Sequence, residues 1–379
     1  MSNSVHKTMN GLTGQYLSLL IAIQEMPFGT LEKLAKKARV SKPTAAKRLR
    51  ELQGLRGGKS YFSVTPLLNY RSLGLEAVDV LLSTPDLKSM ETLENVATNH
   101  PYTGYRCRCY GSSNGLFLQF RTPQGTTRLI RELIEHLSDK GLATDAKFLA
   151  TGNERTIHTS LRIKGWDPNA MTWKFDWDKW FQKVPEPSEG TGGLSSEPGS
   201  ALRWLTKNDI HVIRELMNGA RRKNSDVIKA LSKRGVHITP QTFSRRLKTI
   251  EDECIEGYRV TFDPVAFDIY SNVIVFGSGN AQHLDALRLK MEQDPIPFES
   301  TLRTTGENLF WFIRLQPTHL SPLFTNLFSN LSEMSVCIMD YSHTLIYFLW
   351  PDTFDGETRS WRTDPAFMVD DVLKASGVK

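Results

Sequence analysis

The sequence predicts an α+β protein built from two copies of one unit, each a helical domain followed by a β-α-β-β-α-β domain. Three observations support this prediction. Blocks of sequence recur in the same order, a segment with almost no apolar residues divides the two sets, and each set passes from helical to strand-like hydrophobic periodicity. The chain of 379 residues is also long enough for more than one domain.

The internal repeat consists of three matched blocks. SKPTAAKRLREL at 41–52 matches TPQTFSRRLKTI at 239–250. Downstream, the block containing Val64 matches the block containing Val260, and YGSSNGLFLQFRTP matches TGENLFWFIRLQP. Three matches in the same order and at nearly constant separation indicate a duplication, because chance could supply one such match but hardly three.

A segment rich in Pro, Gly, Ser and Glu, PEPSEGTGGLSSEPGS, separates the two copies and is typical of a flexible linker. The predicted organisation is a helical domain at 10–60, a β-α-β-β-α-β domain with a Trp-rich extension at 61–184, the linker at 185–200, a second helical domain at 201–256, a second β-α-β-β-α-β domain at 257–352 and a polar C-terminal tail at 353–379.

Each copy opens with three predicted helices. In the first copy Thr30 and Ser41 are N-cap residues, and Leu49 and Leu52 lie on the apolar face of the third helix. In the second copy Thr239 is the matching N-cap residue. Two short helices joined by a tight turn, the second basic and capped by a hydroxyl, predict a helix-turn-helix (winged-helix-like) domain in each copy.

The third helix of each copy is predicted to bind double-stranded DNA. Its N-terminus offers backbone N–H groups to phosphate, and exposed Arg side chains can read guanine edges. The alternative is that these basic residues only solvate an exposed helix face. The predicted DNA-binding residues are Ser41, Lys42, Thr44, Lys47, Arg48, Arg50, Thr239, Gln241, Arg245, Arg246 and Lys248.

The remainder of each copy alternates between strands and helices in the order β-α-β-β-α-β, which predicts a ferredoxin-like sheet with helices on one face. The first copy has predicted strands at 77–82, 104–110, 115–121 and 144–150, with helices at 86–98 and 125–139. The second has strands at 272–276, 299–305, 308–315 and 336–349, with helices at 280–293 and 318–333. The uncovered sheet face predicts pairing with the other copy or with a second chain.

The stretch WDPNAMTWKFDWDKWF at 166–181 has no counterpart recognisable in the second copy. Its four Trp residues favour an arm that packs on the sheet. The alternatives are an oligomerisation arm and a surface on which bases stack, although its Asp residues would repel phosphate.

Composition restricts the remaining possibilities. Lys and Arg number 47 against 41 Asp and Glu, and the net charge of +6 permits an anionic partner. The four Cys form no CxxC pair, the nine His are scattered, and HExxH, GxSxG and GxxxxGK[ST] motifs are absent, so we expect no metal, no cofactor and no enzymatic activity. The sequence contains neither a long apolar run nor a signal pattern, which predicts a cytoplasmic protein with no membrane partner.

A helix-turn-helix followed by β-α-β-β-α-β resembles the Lrp/AsnC family of transcriptional regulators. The resemblance covers nearly all of both copies and implies sequence-specific DNA binding, assembly through the sheet domains into a homo-oligomer, and a small-molecule effector. The family's glycine turn corresponds here to Gly111 to Asn114 and to Gly306 to Asn308, which are the expected effector-binding residues. Asn replaces the family's Asp in both turns, which removes a partner for a ligand ammonium.

Two other readings of the sequence compete with the regulator. One is a scaffold of the same fold that only assembles with partners. The other is an enzyme, because siroheme decarboxylases share this plan and ENLFWFIRL is similar to a strand that those enzymes carry. They have a histidine just before that strand, where this chain has Arg303 to Thr305 and, in the first copy, Arg108 to Tyr110. The sequence therefore favours a DNA-binding regulator with two fused reading heads.

Overall fold

The computed structural model describes residues 14–54, 60–152, 156–186, 197–269 and 271–378. Most of the predicted linker lies outside the described residues, as do residues 10–13 of the first predicted domain. The protein is α+β with one large antiparallel sheet. Among the described residues, no helix combines the length and apolarity that crossing a membrane requires.

Three helices open each half. They are α1 (Gly14–Glu25), α2 (Leu31–Lys37) and α3 (Lys42–Leu52) in the first half, and α7 (Lys207–Met217), α8 (Asn224–Lys233) and α9 (Pro240–Cys254) in the second. Ser41 and Thr239 are N-cap residues as predicted, and their hydroxyl groups accept hydrogen bonds from the backbone N–H of Thr44 and Thr242 at 3.3 and 3.2 Å.

A two-stranded ribbon, missed by the sequence prediction, joins the two halves. Strand β1 (Phe62–Leu68) pairs antiparallel with β9 (Ile255–Phe262), and Val64 lies directly opposite Val260. These are the two valines that the sequence repeat aligns, so the ribbon pairs equivalent segments of the two copies.

Each half then forms a four-stranded sheet with two helices. The first half contains β2 (Leu75–Ser83), α4 (Leu87–Asn99), β3 (Thr103–Gly111), β4 (Gly115–Pro123), α5 (Thr127–Asp139) and β5 (Asp145–Gly152). The second half contains β10 (Ser271–Gly279), α10 (Ala281–Gln293), β11 (Ser300–Thr305), β12 (Asn308–Leu315), α11 (Leu320–Phe328) and β13 (Leu331–Ile346). The predicted helix at 318–333 was too long, because α11 ends at Phe328 and β13 begins at Leu331.

The two sheets are hydrogen-bonded to each other. The strand order is β5-β2-β4-β3-β13-β10-β12-β11-β6, where β6 is Thr156–Thr159. The fourth strand of the second half, β13, extends to pair with β3, and β6, which follows the fourth strand of the first half, pairs with β11. Inward-facing side chains from both sheets form a shared apolar core that includes Leu81, Phe117, Ile274, Phe310 and Cys337.

The helical domains are exchanged between the halves. One apolar core combines α1 to α3 with the second sheet domain, for example Leu20 and Leu34 with Phe298 and Trp311. The other combines α7 to α9 with the first sheet domain. Each core therefore needs residues from both halves, so the predicted domain boundaries do not separate the packing units.

The Trp-rich segment does have a structural counterpart in the second half, which corrects the sequence analysis. Strands β7 (Trp166–Asp167) and β8 (Thr172–Trp173) form a hairpin before α6 (Trp177–Gln182), and β14 (Phe354–Asp355) and β15 (Ser360–Trp361) form a second hairpin. Met171 and Arg359 hold the same turn position, with φ of 52° at both.

Each hairpin packs against the opposite half. The indole Nε1–H of Trp173 donates to the Phe267 carbonyl at 3.0 Å, and that of Trp361 donates to the Leu73 carbonyl at 2.6 Å. The segment 353–379 was predicted as a polar tail, yet it buries Phe354, Trp361 and Met368 and includes the C-terminal helix α12 (Asp371–Ala375). The two hairpins and the C-terminal segment therefore stabilise the association of the two halves.

Candidate functional site

The predicted DNA-binding residues divide into exposed and inward-facing side chains. Thr44 is half-buried beneath the Ser41 cap, and Arg48 and Arg246, which both copies share, face the interior of their helical domains. The exposed members of the set are Ser41, Lys42, Lys47, Arg50, Thr239, Gln241, Arg245 and Lys248.

Arg246 is held inside its own domain. Its Nε–H donates to Asp209 Oδ1 at 2.7 Å, a second guanidinium nitrogen donates to the other carboxylate oxygen, and the guanidinium carbon lies 4.8 Å from the centre of the Trp204 ring. The Asp209 side chain is 3% exposed. Arg48 lies 5.5 Å from the ring centre of Tyr16 in the same manner. The placement of Arg246 is thus at odds with its predicted role in reading DNA.

We expect Arg246→Met to lower the free energy of unfolding by about 3 kcal/mol, because Asp209 would remain buried without its cation. Arg245→Met is the matched control, since Arg245 is the exposed neighbour on the same helix and should change stability by less than about 0.5 kcal/mol. Urea denaturation of the two variants measures the difference. Equal effects of the two substitutions would contradict the structural role of Arg246.

The predicted effector turns lie at ends of the shared core. In the first turn, Asn114 Oδ1 accepts a hydrogen bond from the Gly111 N–H at 3.1 Å, so the Asn side chain closes the turn on itself. In the second turn, Gly306 has φ of 58° and Asn308 lines a cavity between the two sheets. Only the second turn is therefore placed to contact a ligand in that cavity.

The cavity beside this turn has a volume of about 450 Å³. Its lining residues come from β5, β10, β11, β12 and β13. Its lining combines apolar and polar side chains, among them Lys147, Leu149, Phe276, Arg303, Phe310 and Glu333. Lys147 Nζ lies 5.1 Å from the ring centre of Phe276 at the cavity wall.

Arg303, which lines the cavity, reaches across to the opposite sheet. Its Nη1 lies 3.2 Å from Asp79 Oδ2, and its Nε–H donates to Thr156 Oγ1 at 2.7 Å. Asp79 is fully buried, and it also accepts from Gln119 Nε2 at 3.0 Å and from Arg121 Nη1 at 3.2 Å. The carboxylate of Asp79 thus orients two guanidinium groups from two different halves of the chain.

A second ion-pair group continues from the first toward the β1–β9 ribbon. Glu299 lies 3.4 Å from Arg314 and 3.6 Å from Arg259, measured between the nearest carboxylate oxygen and guanidinium nitrogen. Burial alone would raise the pKa of Glu299, yet the charges of Arg314 and Arg259 outweigh it and hold this pKa below its usual value. Glu299 is therefore ionised at neutral pH.

His158 stands between these two groups. It lies on β6 opposite Thr301, and its Nδ1 is 3.0 Å from Thr301 Oγ1. Close packing of protein atoms, followed by the charges of Arg303, Arg121 and Arg259, lowers the pKa of His158 to about 4, although part of the ring remains solvent-exposed. The imidazole is therefore neutral at pH 7, and Asp79 only partly offsets the effect of the arginines.

Thiols rather than metal ligands line the apolar part of the core. Cys107, Cys109 and Cys337 are fully buried, Cys254 is buried in the helical domain, and all four cysteines are free thiols. Within the described part of the chain, no group of three or more His, Cys, Asp or Glu side chains could hold a metal ion.

The residues of the charged cluster around Asp79 were not predicted from the sequence, although one sequence signal could have identified them. Asp79 sits in the apolar run AVDVLL, on a strand that is buried almost throughout. A carboxylate at such a position is rarely buried unless it is paired, so it predicts a cation on a facing strand. The sequence alone does not show that the cations are Arg121 and Arg303.

No protein-family model and no curated protein sequence matches this chain, whereas solved structures match its fold. The siroheme decarboxylase NirDL matches with a TM-score of 0.54 at 12% identity, over 96% of this chain and 99% of that one. NirDL in complex with an iron-uroporphyrin III analogue matches with a TM-score of 0.50 at 12% identity, over 86% and 91%. Over 38% of this chain, an AsnC family regulator from Agrobacterium tumefaciens matches with a TM-score of 0.30 at 17% identity, covering 92% of its own length.

These comparisons correct two predictions. The structures that match nearly the whole chain are of an enzyme, which contradicts both the DNA-binding regulator and the expectation of no enzymatic activity. The competing reading, a tetrapyrrole enzyme like the siroheme decarboxylases, is better supported. At 12% identity, the likeness establishes a common fold, and the case for an activity rests on the site itself.

Proposed function

We propose that this protein binds a carboxylate-bearing tetrapyrrole between its two sheets and removes a side-chain carboxylate as CO₂, as a siroheme-decarboxylase-like enzyme. The observation that carries this proposal is a charged cluster inside a fold that NirDL shares. In it, Arg121, Arg259 and Arg303 surround His158, and Arg314 joins them through Glu299. The small-molecule partner is then a substrate rather than an effector.

The charge of the cluster favours a polyanionic ligand. Four guanidinium groups face the two carboxylates of Asp79 and Glu299, which leaves a surplus of two positive charges while His158 is neutral. Guanidinium groups bind carboxylates in bidentate geometry and stay charged when partly buried. Because Asp79 and Glu299 already orient these groups, little reorganisation is needed when a substrate carboxylate arrives.

The cavity wall suits an aromatic macrocycle. Phe276, Phe310 and Leu149 offer apolar surface in the cavity that Arg303 also lines, and the volume of about 450 Å³ lies within the range of small-molecule sites. A flat ring lying against these side chains would have Arg303 available for a peripheral carboxylate. Lys147, which also lines the cavity, can pair with a further carboxylate.

Decarboxylation requires a proton at the reacting carbon. When the C–C bond of a carboxymethyl side chain breaks, CO₂ leaves and the electron pair remains on the methylene carbon, which must be protonated to become a methyl group. We assign this proton to His158. Bound carboxylates offset the charges of Arg303 and Arg121, so the pKa of His158 rises when substrate binds, and the proton is taken up where it is used.

The two halves of the chain are similar in architecture. We infer that two copies of a helix-turn-helix and ferredoxin-like unit of Lrp/AsnC type were fused in tandem, supported by the matching strand orders, the paired valines of β1 and β9, and the two equivalent hairpins. Fusion brings both sheets into one chain, so the residues assigned here complete the site without a second copy.

Absorbance titration with iron uroporphyrin III tests the proposal. We expect a shift of the Soret band that saturates, and we expect siroheme incubated with the protein to lose mass in steps of one CO₂. A scaffold that only assembles with partners would change neither the absorbance nor the mass of the tetrapyrrole, and this result would overturn the proposal. Competition by added DNA would not be expected to displace the ligand from a site between the sheets.

A further inference from the structure

The site has a structural equivalent in the other half, because the two inter-sheet junctions have the same register. On one side, Thr156 pairs with Arg303 and His158 pairs with Thr301. On the other side, Thr344 pairs with Cys107 and Ile346 pairs with Tyr105. The two junctions thus place Arg303 and Cys107 at one equivalent position, and His158 and Ile346 at another.

The strand pairs β2–β4 and β10–β12 show the same contrast between polar and apolar residues. Asp79 pairs with Gln119 across β2 and β4, whereas Ile274 pairs with Phe312 across the equivalent strands β10 and β12. The first pair belongs to the charged cluster, and Ile274 belongs to the shared apolar core, against which Phe312 packs. The counterparts of Asp79, Arg303 and His158 are therefore uncharged. Arg121 keeps a charged counterpart, Arg314, two residues beyond Phe312 on β12.

The apolar side is also filled. Cys107 and Ile274 are 0% exposed, and Tyr105 is 8% exposed. Thr344 Oγ1 donates to Cys107 Sγ at 3.0 Å, so a thiol takes the place that the Arg303 guanidinium takes beside Thr156. At this position a carboxylate would meet Cys107 instead of an arginine and Ile346 instead of a histidine. The nearby Arg314 is already paired with Glu299 at 3.4 Å, so burying a carboxylate there is unfavourable.

From this contrast the geometry points to a single tetrapyrrole site per chain, on the side of His158 and Arg303, with the equivalent position in the other half converted to packed core. This inference rests on the proposed function. It goes further, because a duplicated chain would otherwise be expected to hold two equivalent sites. The fused protein is then a one-site enzyme in which one junction binds substrate and the other stabilises the pairing of the halves.

Titration of the full chain with iron uroporphyrin III tests this inference, with two matched variants. We expect one equivalent per chain, at least tenfold weaker binding in Arg303→Gln, and binding within about twofold of the parent in Cys107→Ser. Circular dichroism and urea denaturation of each variant establish that it is folded.

The outcomes separate this inference from the proposed function. Saturation at two equivalents, or an equal loss of affinity in Cys107→Ser and Arg303→Gln, would overturn the single site while leaving tetrapyrrole binding intact. Absence of any binding by the parent protein would overturn the proposed function and the inference together. One equivalent that depends on Arg303 and not on Cys107 confirms the single site.

Discussion

Arg303→Gln should weaken binding of iron uroporphyrin III by about 10- to 100-fold, because a charged hydrogen bond to a carboxylate contributes about 1.5–3 kcal/mol. The glutamine can still donate a hydrogen bond, so the substitution tests the charge. Asp79 keeps Gln119 and Arg121 as partners, so the fold should persist. Absorbance titration gives the dissociation constant.

The control for this substitution is Arg50→Gln on α3, an exposed arginine that lies in the helical domain and outside the cluster. Arg50→Gln removes the same charge from the chain. Comparison of the two variants therefore separates the loss of a specific ion pair with the ligand from the effect of a lower net charge. If both variants bind equally well, the arginines between the sheets do not hold the ligand, and the assignment of the site is wrong.

His158→Asn should lower the rate of decarboxylation by about 100- to 10,000-fold, because the group that supplies the proton is lost. Binding should change much less, since the arginines remain. Product mass measured over time gives the rate. His136→Asn is the control, because His136 is exposed on α5 and its Nδ1 contacts only the Glu132 carbonyl of its own helix. If the rate is unchanged in His158→Asn, another group supplies the proton and the assignment to His158 is wrong.

The same histidine should make binding depend on pH. In the free protein its pKa is lowered to about 4 by the close packing of protein atoms and by the charges of Arg303, Arg121 and Arg259, while Asp79 acts in the opposite direction. Because bound carboxylates raise that pKa, binding takes up a proton, and affinity should rise as the pH falls from about 8 to about 6. Calorimetry in buffers of different ionisation enthalpy measures the uptake, which should disappear in His158→Asn.

Local patterns predicted most of the sheet. The eight strands of the two ferredoxin-like domains were predicted from short apolar or alternating runs, and the caps Ser41 and Thr239 follow from the residues that begin a helix. Strand β1 was missed because it contains Pro66, which argues against a ladder strand. The ribbon has only two strands, so Pro66 needs no partner on its free side.

The site could not be predicted from local sequence patterns, because its residues lie far apart in the chain. Asp79, Arg121, His158 and Arg303 come from four strands in two halves, and only the pairing of β6 with β11 brings His158 beside Arg303. In the sequence, Arg303 stands where siroheme decarboxylases have a histidine. The sequence alone does not show that the neighbouring strand β6 carries an imidazole, that of His158.

The exchange of helical domains between the halves has a consequence for how the chain folds during its synthesis. Helices α1 to α3 are made first, yet strand β9 and the second sheet domain, which belong to the same apolar core, are made only after α7 to α9. Until the second sheet domain is made, Leu20 and Leu34 therefore remain incompletely buried, a state in which chains aggregate readily. Pairing over such long separations is also slow. We expect the nascent protein to depend on chaperones until the ribosome has delivered the second sheet.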